Sequence, residues 1–212
     1  MTLPLEPTRD CPLCPRLMAF RHEQRARHPD WFNAPVPCFG PRDAAIAIAG
    51  LAPGLQGANR TGRPFTGDWA GDLLYDTLLK LKLARGRYEE RADDTLTLVN
   101  CRIVNSVRCV PPQNKPEPSE INTCRQFLIS ELDHMPRLKV ILALGKIAHD
   151  SVLRTYGKKI SAYPFTHGGI YDLGPVTLIS SYHCSRYNTN TGRLTAEMFE
   201  TVVGQAKKLA EK

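Results

Sequence analysis

Residues 44–50, Ala-Ala-Ile-Ala-Ile-Ala-Gly, form an unbroken apolar run that ends in glycine. A strand with no polar face has no side for water, so both its faces must be covered. This requires a sheet sandwiched between layers of helix. Three further segments read as strands: 95–104, where β-branched residues concentrate, 139–144 and 176–181. Helical spacing falls at 16–28, 69–83, 119–132, 146–156 and 195–209, the first with its basic residues on the exposed side. Segments 33–41, 54–67 and 111–119 are rich in proline or glycine and read as connections. Ser119 is the expected N-cap of the third helix, with Asn122 in the capping-box position. Alternating strands and helices predict a single-domain, three-layer α/β/α sandwich around a central four-stranded parallel sheet.

Sites in such folds lie beyond the C-terminal ends of the strands. Four polar loops begin there, at Gly50, Asn105, Gly145 and His183. The first runs Gly50-Leu-Ala-Pro-Gly54 and continues to Thr61-Gly-Arg-Pro-Phe-Thr-Gly-Asp68. Its glycines permit close approach of backbone to a ligand. Phe65 offers a stacking face, and Asp68 and His183 are candidate acid/base or electrostatic groups. Gly145-Lys146 lacks the spacing of a phosphate-binding P-loop, and no nucleophile-elbow Gly-x-Ser-x-Gly is present.

The chain has 212 residues, 28 Lys plus Arg against 21 Asp plus Glu, and a net charge of +7, which suits a polyanionic partner. Residues 1–10 lack the apolar stretch of a secretory signal, and the apolar runs are too short to span a bilayer. The expectation is a cytoplasmic protein with no membrane partner. Seven cysteines in that compartment point to metal ligation or core packing rather than disulfides. Cys11-Pro-Leu-Cys14 is a C-x-x-C pair, and Cys109 and Cys124 flank the proline-rich segment. Spacing alone leaves zinc, an iron–sulfur cluster and no metal equally open. Cys101 reads as core and Cys38 as a loop residue. A zinc-stabilised nucleic-acid-binding protein without catalysis is the rival to an enzyme.

Taken in order, the Gly50 loop, the Asn105 loop, Pro111-Pro-Gln-Asn114, the His183 loop and Asn190-Thr-Gly-Arg-Leu-Thr195 resemble the uracil-DNA glycosylase superfamily, specifically its family 5. The resemblance implies a base-excision repair enzyme that flips a damaged base out of DNA and hydrolyses its N-glycosidic bond. It implies a [4Fe-4S] cluster on Cys11, Cys14, Cys109 and Cys124. The backbone of Gly50, Ala52 and Gly54 would line the base pocket and Phe65 would stack on the base. Asn105 would read the Watson–Crick edge and His183 would donate toward O2. Asp68 holds the family 5 position involved in the chemistry, and Asn114 is a secondary catalytic candidate. Ser185, Arg186 and Tyr187 belong to the loop that enters the minor groove. The implied partner is double- or single-stranded DNA carrying damaged bases, bound by a monomer.

Two departures from the superfamily pattern stand out. Cys184 replaces the proline of His-Pro-Ser, which frees φ and adds an N–H. Leu51 stands where other families place a water-activating carboxylate. Gly57, in Gln56-Gly-Ala-Asn59, is expected to leave room for larger deaminated bases such as hypoxanthine. Arg60, Arg63 and Arg108 are expected at phosphates.

Overall fold

A computed structural model describes residues 6–212. Its central sheet contains β1 (Ile46–Gly50), β4 (Cys101–Asn105), β5 (Val140–Leu144), β6 (Ile170–Asp172) and β7 (Thr177–Ser181), in the spatial order β4-β1-β5-β7-β6. The four expected strands are all present and mutually parallel; β6 is an added fifth, antiparallel to β7 at the edge. The sequence of β6 is short and half-exposed, so it carried no apolar run to announce it.

The unbroken apolar run of β1 divides cleanly between the two faces. Ile46 and Ile48 enter one core with Leu74, Leu78, Phe199 and Val203, while Ala47 and Ala49 enter a second with Leu128, Val152 and Leu153. The first core lies under α3 (Trp69–Lys80) and α7 (Ala196–Ala210); the second lies under α4 (Pro118–Asp133) and α5 (Lys146–Thr155). β5 alternates in the same way, Val140, Leu142 and Leu144 against Ile141 and Ala143. Period-two alternation with both faces dry is what a sequence sees as continuous apolarity.

Three local expectations are corrected. The segment 95–104 is not one strand. It splits into β3 (Thr97–Leu98), which pairs with β2 (Ala84–Arg85), and β4, because Asn100 takes a left-handed φ of 53° between them. Its side-chain Oδ1 accepts from Ala45 N at 2.9 Å, which offsets the cost of that conformation. α4 is capped two residues earlier than Ser119, with Glu117 as N-cap, Pro118 in the first turn and Glu120 accepting from Glu117 N at 2.7 Å. Finally, α1 (Pro15–Arg27) does not turn every basic residue to solvent. Arg21 is buried, and Arg16 forms a forked pair with Glu120 at 2.8 Å on both oxygens. No helix among the described residues is long and apolar enough to cross a membrane.

Candidate active site

Parallel strands start the site at their ends. Gly50 closes β1 and Asn105 closes β4, and the two are register partners. A Cβ on Gly50 would lie 2.4 Å from Asn105 Oδ1 and 3.0 Å from the Phe65 ring. Glycine is therefore required for those two side chains to converge. Phe65 holds its ring there with a left-handed φ of 52°, an unusual conformation for an aromatic residue. It is over-determined by its neighbours: Gly71 makes room for the Phe65 carbonyl, where a Cβ would sit at 1.9 Å, and Tyr88 donates to that oxygen at 3.4 Å.

Phe65 and Asn105 line a cavity of about 390 Å³, together with Ala52, Gly54, Asp68, Trp69, Asn114, His183, Ser185 and Arg186. The His183 imidazole lies 5.9 Å from the Phe65 ring centroid and 27° from parallel to it. Burial pushes the His183 pKa down from 6.5 to about 4, so the ring is neutral at pH 7. Asn105 is 4% exposed, and its Oδ1 is buried with no hydrogen-bond partner. An orphaned buried acceptor at a cavity wall is costly unless a ligand N–H completes it.

Asp68 is the N-cap of α3, accepting from Gly71 N at 3.2 Å. Burial raises its pKa, opposed by the amide hydrogen bonds of Gly71 and Ala70. Gly57 does not open the pocket as expected. A Cβ there would meet Asp68 Oδ2 at 2.2 Å, so the missing side chain is space already taken by the carboxylate. Gly54 has the same role from the other side, at 3.0 Å. Cys184 is fully buried and joins the core under α3 and α7. The stiffness a proline would give comes instead from Asn188, whose Nδ2 donates to the His183 carbonyl at 2.8 Å.

The segment after His183 is helical. Ser185 caps α6 (Arg186–Asn190), accepting from Asn188 N. Arg186 and Tyr187 are exposed, Tyr187 at 72%. Asn114 sits exposed on the rim at the end of a 3-10 turn, Pro112–Asn114, where Gln113 and Asn114 both have positive φ. Trp69 was not singled out from the sequence. It is 49% exposed, lines the cavity beside Asp68, donates from Nε1 to Thr189 Oγ1 at 3.0 Å and lies under the Arg186 guanidinium at 5.6 Å. Its place directly after Asp68 at a helix start was the available signal. Asn188 was also missed, since an asparagine in a polar run carries no distinguishing mark.

Two of the arginines expected at phosphates are structural. Arg63 is buried, forks onto Asp94 at 2.7 Å and lies against Phe39, Tyr75 and Tyr88. Arg108 is buried and donates to Val36 O, Cys38 Sγ and Glu6. Arg60 remains near the surface, with Nε on Gln56 O. Cys101 is core, as expected.

Cys11, Cys14, Cys109 and Cys124 line one enclosed chamber, brought together from the segment before α1, the loop after β4, and α4. Leu17, Val107 and Phe127 wall it. Burial raises the thiol pKa of Cys14 to about 11 and of Cys124 to about 12. Tetrahedral zinc, with Zn–S near 2.3 Å, would hold its sulfurs about 3.8 Å apart. Among the described residues, the group of three or more ligand atoms within 4.8 Å of one another is Glu6, Cys38 and Glu131, so no three of the chamber sulfurs are that close. The Arg108 amide donates to Cys124 Sγ at 3.3 Å and Arg21 to Cys109 Sγ at 3.4 Å.

A flat aromatic face, an unpaired amide edge, a neutral imidazole and a carboxylate around one cavity can hold a planar heterocycle and stabilise its departure as an anion. The family described as the Uracil DNA glycosylase superfamily matches residues 37–207. A type-5 uracil-DNA glycosylase of Thermus thermophilus is 46% identical over 94% of this chain and 94% of its own length. Type-5 uracil-DNA glycosylases of Pyrobaculum aerophilum and Mycobacterium bovis are 36% and 41% identical, over 93% and 94% of this chain and 88% and 78% of theirs. On these matches and this site, the chain belongs to the type-5 branch of the uracil-DNA glycosylase superfamily.

Proposed function

We infer that the protein excises uracil from DNA by hydrolysing the N-glycosidic bond, as its curated relatives are named for doing. The observation that carries this is the buried, unpartnered Oδ1 of Asn105, facing a cavity floored by Phe65. Uracil N3–H completes that acceptor, and the amide N–H₂ faces O4. Cytosine has no N–H at N3 and a donor at position 4, so both contacts would be mismatched.

The bond breaks as negative charge moves onto the base. His183, neutral and fixed through its carbonyl by Asn188, donates an N–H toward O2 and stabilises that charge. Asp68 carries the opposite charge near the sugar, where an oxocarbenium-like cation develops. Leu51 cannot orient water, so the cation is captured by weakly activated water. Ser185, Arg186 and Tyr187 enter the duplex and hold the base out, and Asn114 contributes from the rim.

The chamber residues Cys11, Cys14, Cys109 and Cys124 would hold a [4Fe-4S] cluster, supported by their convergence on one chamber and by the N–H···S contacts to Cys109 and Cys124. Such a cluster would pin the segment before α1 to the Asn105 loop and α4. The substrates extend to single-stranded DNA and, more weakly, to hypoxanthine; the support for the latter is the cavity volume, not Gly57. The chain acts as one domain and a monomer on DNA in the cytoplasm. Incubation with uracil-containing duplex followed by alkaline cleavage tests the reading. A strand break at uracil is expected, and an intact strand at enzyme excess would refute it.

A further inference from the structure

The least explained charge in the molecule is Arg21. It lies mid-way along α1, is 1% exposed and is among the largest fully buried side chains. Long buried guanidinium groups are normally matched to carboxylates. Among the described residues, Arg21 forms no ion pair within 4.0 Å, unlike buried Arg63 with Asp94 and Arg102 with Glu131. Its NH1 donates to Cys109 Sγ at 3.4 Å and its NH2 to the Cys11 carbonyl at 3.1 Å, while Nε is buried without a partner. Two of its three nitrogens therefore contact cysteines of the four-cysteine chamber, which Arg21 itself lines.

An unpaired buried cation is stable only beside an anion. Four neutral thiols do not supply one, and four thiolates on a metal centre do. We propose that Arg21 is the built-in counter-ion of the group held by Cys11, Cys14, Cys109 and Cys124, and that its N–H···S bond to Cys109 tunes that ligand. This rests on the iron–sulfur reading above. The site is made for an anionic complex, with charge supplied from one face by α1. The other donated hydrogen bond, from the Arg108 amide to Cys124, is backbone and is lost only by a proline substitution that would also disturb the chain; Arg21 is the adjustable one. As a positioning residue it acts through Cys109 and touches no substrate.

The test uses holoprotein purified without oxygen. Arg21→Met and Arg21→Lys are compared with wild type by resonance Raman spectroscopy of the Fe–S(Cys) stretches and by the rate of visible bleaching under a chelator. Loss of an N–H···S bond leaves the thiolate a stronger donor to iron, so in Arg21→Met a Cys-linked stretch moves to higher frequency. Bleaching accelerates several-fold. Arg21→Lys keeps the charge without the fork and falls between. Unshifted bands with unchanged bleaching would overturn the assignment. If Arg21→Met does not fold, Arg21→Lys alone decides, since its Cys109 contact must still alter the band. Wild type carrying zinc would overturn the iron–sulfur reading alone, and Arg21 is then judged by the rate of zinc loss to the chelator. Wild type with no metal would overturn both.

Discussion

At Asp68, function and stability pull in opposite directions. Burial raises its pKa, so the ionised carboxylate is held at a cost to the fold. Asparagine caps a helix as well as aspartate. Asp68→Asn is therefore expected to lower single-turnover base release about 10²-fold while leaving the melting temperature equal or higher. His183→Ala should lose a similar factor with DNA affinity retained. The sign of the pH effect follows from the depressed His183 pKa. Above pH 6.5 folded and unfolded chains bind this proton equally little. Between 6.5 and about 4 the unfolded chain takes it and the folded chain does not, so stability falls as pH drops through that window. Comparing wild type with His183→Ala by thermal melts across pH 4–7 checks this, the variant having the flatter dependence. Gly57→Ala should inactivate the protein rather than sharpen its selectivity, because the new Cβ lands on Asp68 Oδ2. An active variant that rejects hypoxanthine would contradict that geometry.

Between elements, the coupling that matters is α3 to α6. Trp69 and Thr189 are hydrogen-bonded, and Arg186 lies over the same indole. The helix capped by Asp68 is thus tied to the segment proposed to enter DNA. Trp69→Ala should raise the DNA concentration needed for half-maximal rate more than it lowers the rate at saturation, measured by titration of single-turnover kinetics. A reversed split would place Trp69 in the chemistry instead. The order of elements was readable because β1 and β5 are apolar on both faces and the long helices α3 and α7 each bury one mostly apolar side. What escaped was set by tertiary partners: the turn at Asn100 depends on Ala45, the cap at Glu117 on Glu120, and β6 on an edge position that needs no apolar pattern.

For the molecule as a whole, the +7 charge predicts steep weakening of DNA binding as salt rises, read as a linear fall of log affinity against log salt. The structure removes Arg63 and Arg108 from the contributing set, so their neutralisation should act on folding and not on that slope. The site itself was legible as far as residue chemistry goes. Gly50, Phe65, Asp68, Asn105 and His183 are separated by up to 133 positions in the chain, and all border one cavity or its floor. The meaning of Gly57 and the arginines was not legible, because an open space and a filled one, or a surface cation and a buried one, have the same letters. The central claim is that this cavity excises uracil through His183. It is tested most directly by single-turnover cleavage of one duplex carrying uracil, and of its thymine counterpart, by wild type and His183→Ala. The account predicts a break at uracil, none at thymine, and a rate about 10²-fold lower in the variant; equal rates in the two proteins, or no break at uracil, would contradict it.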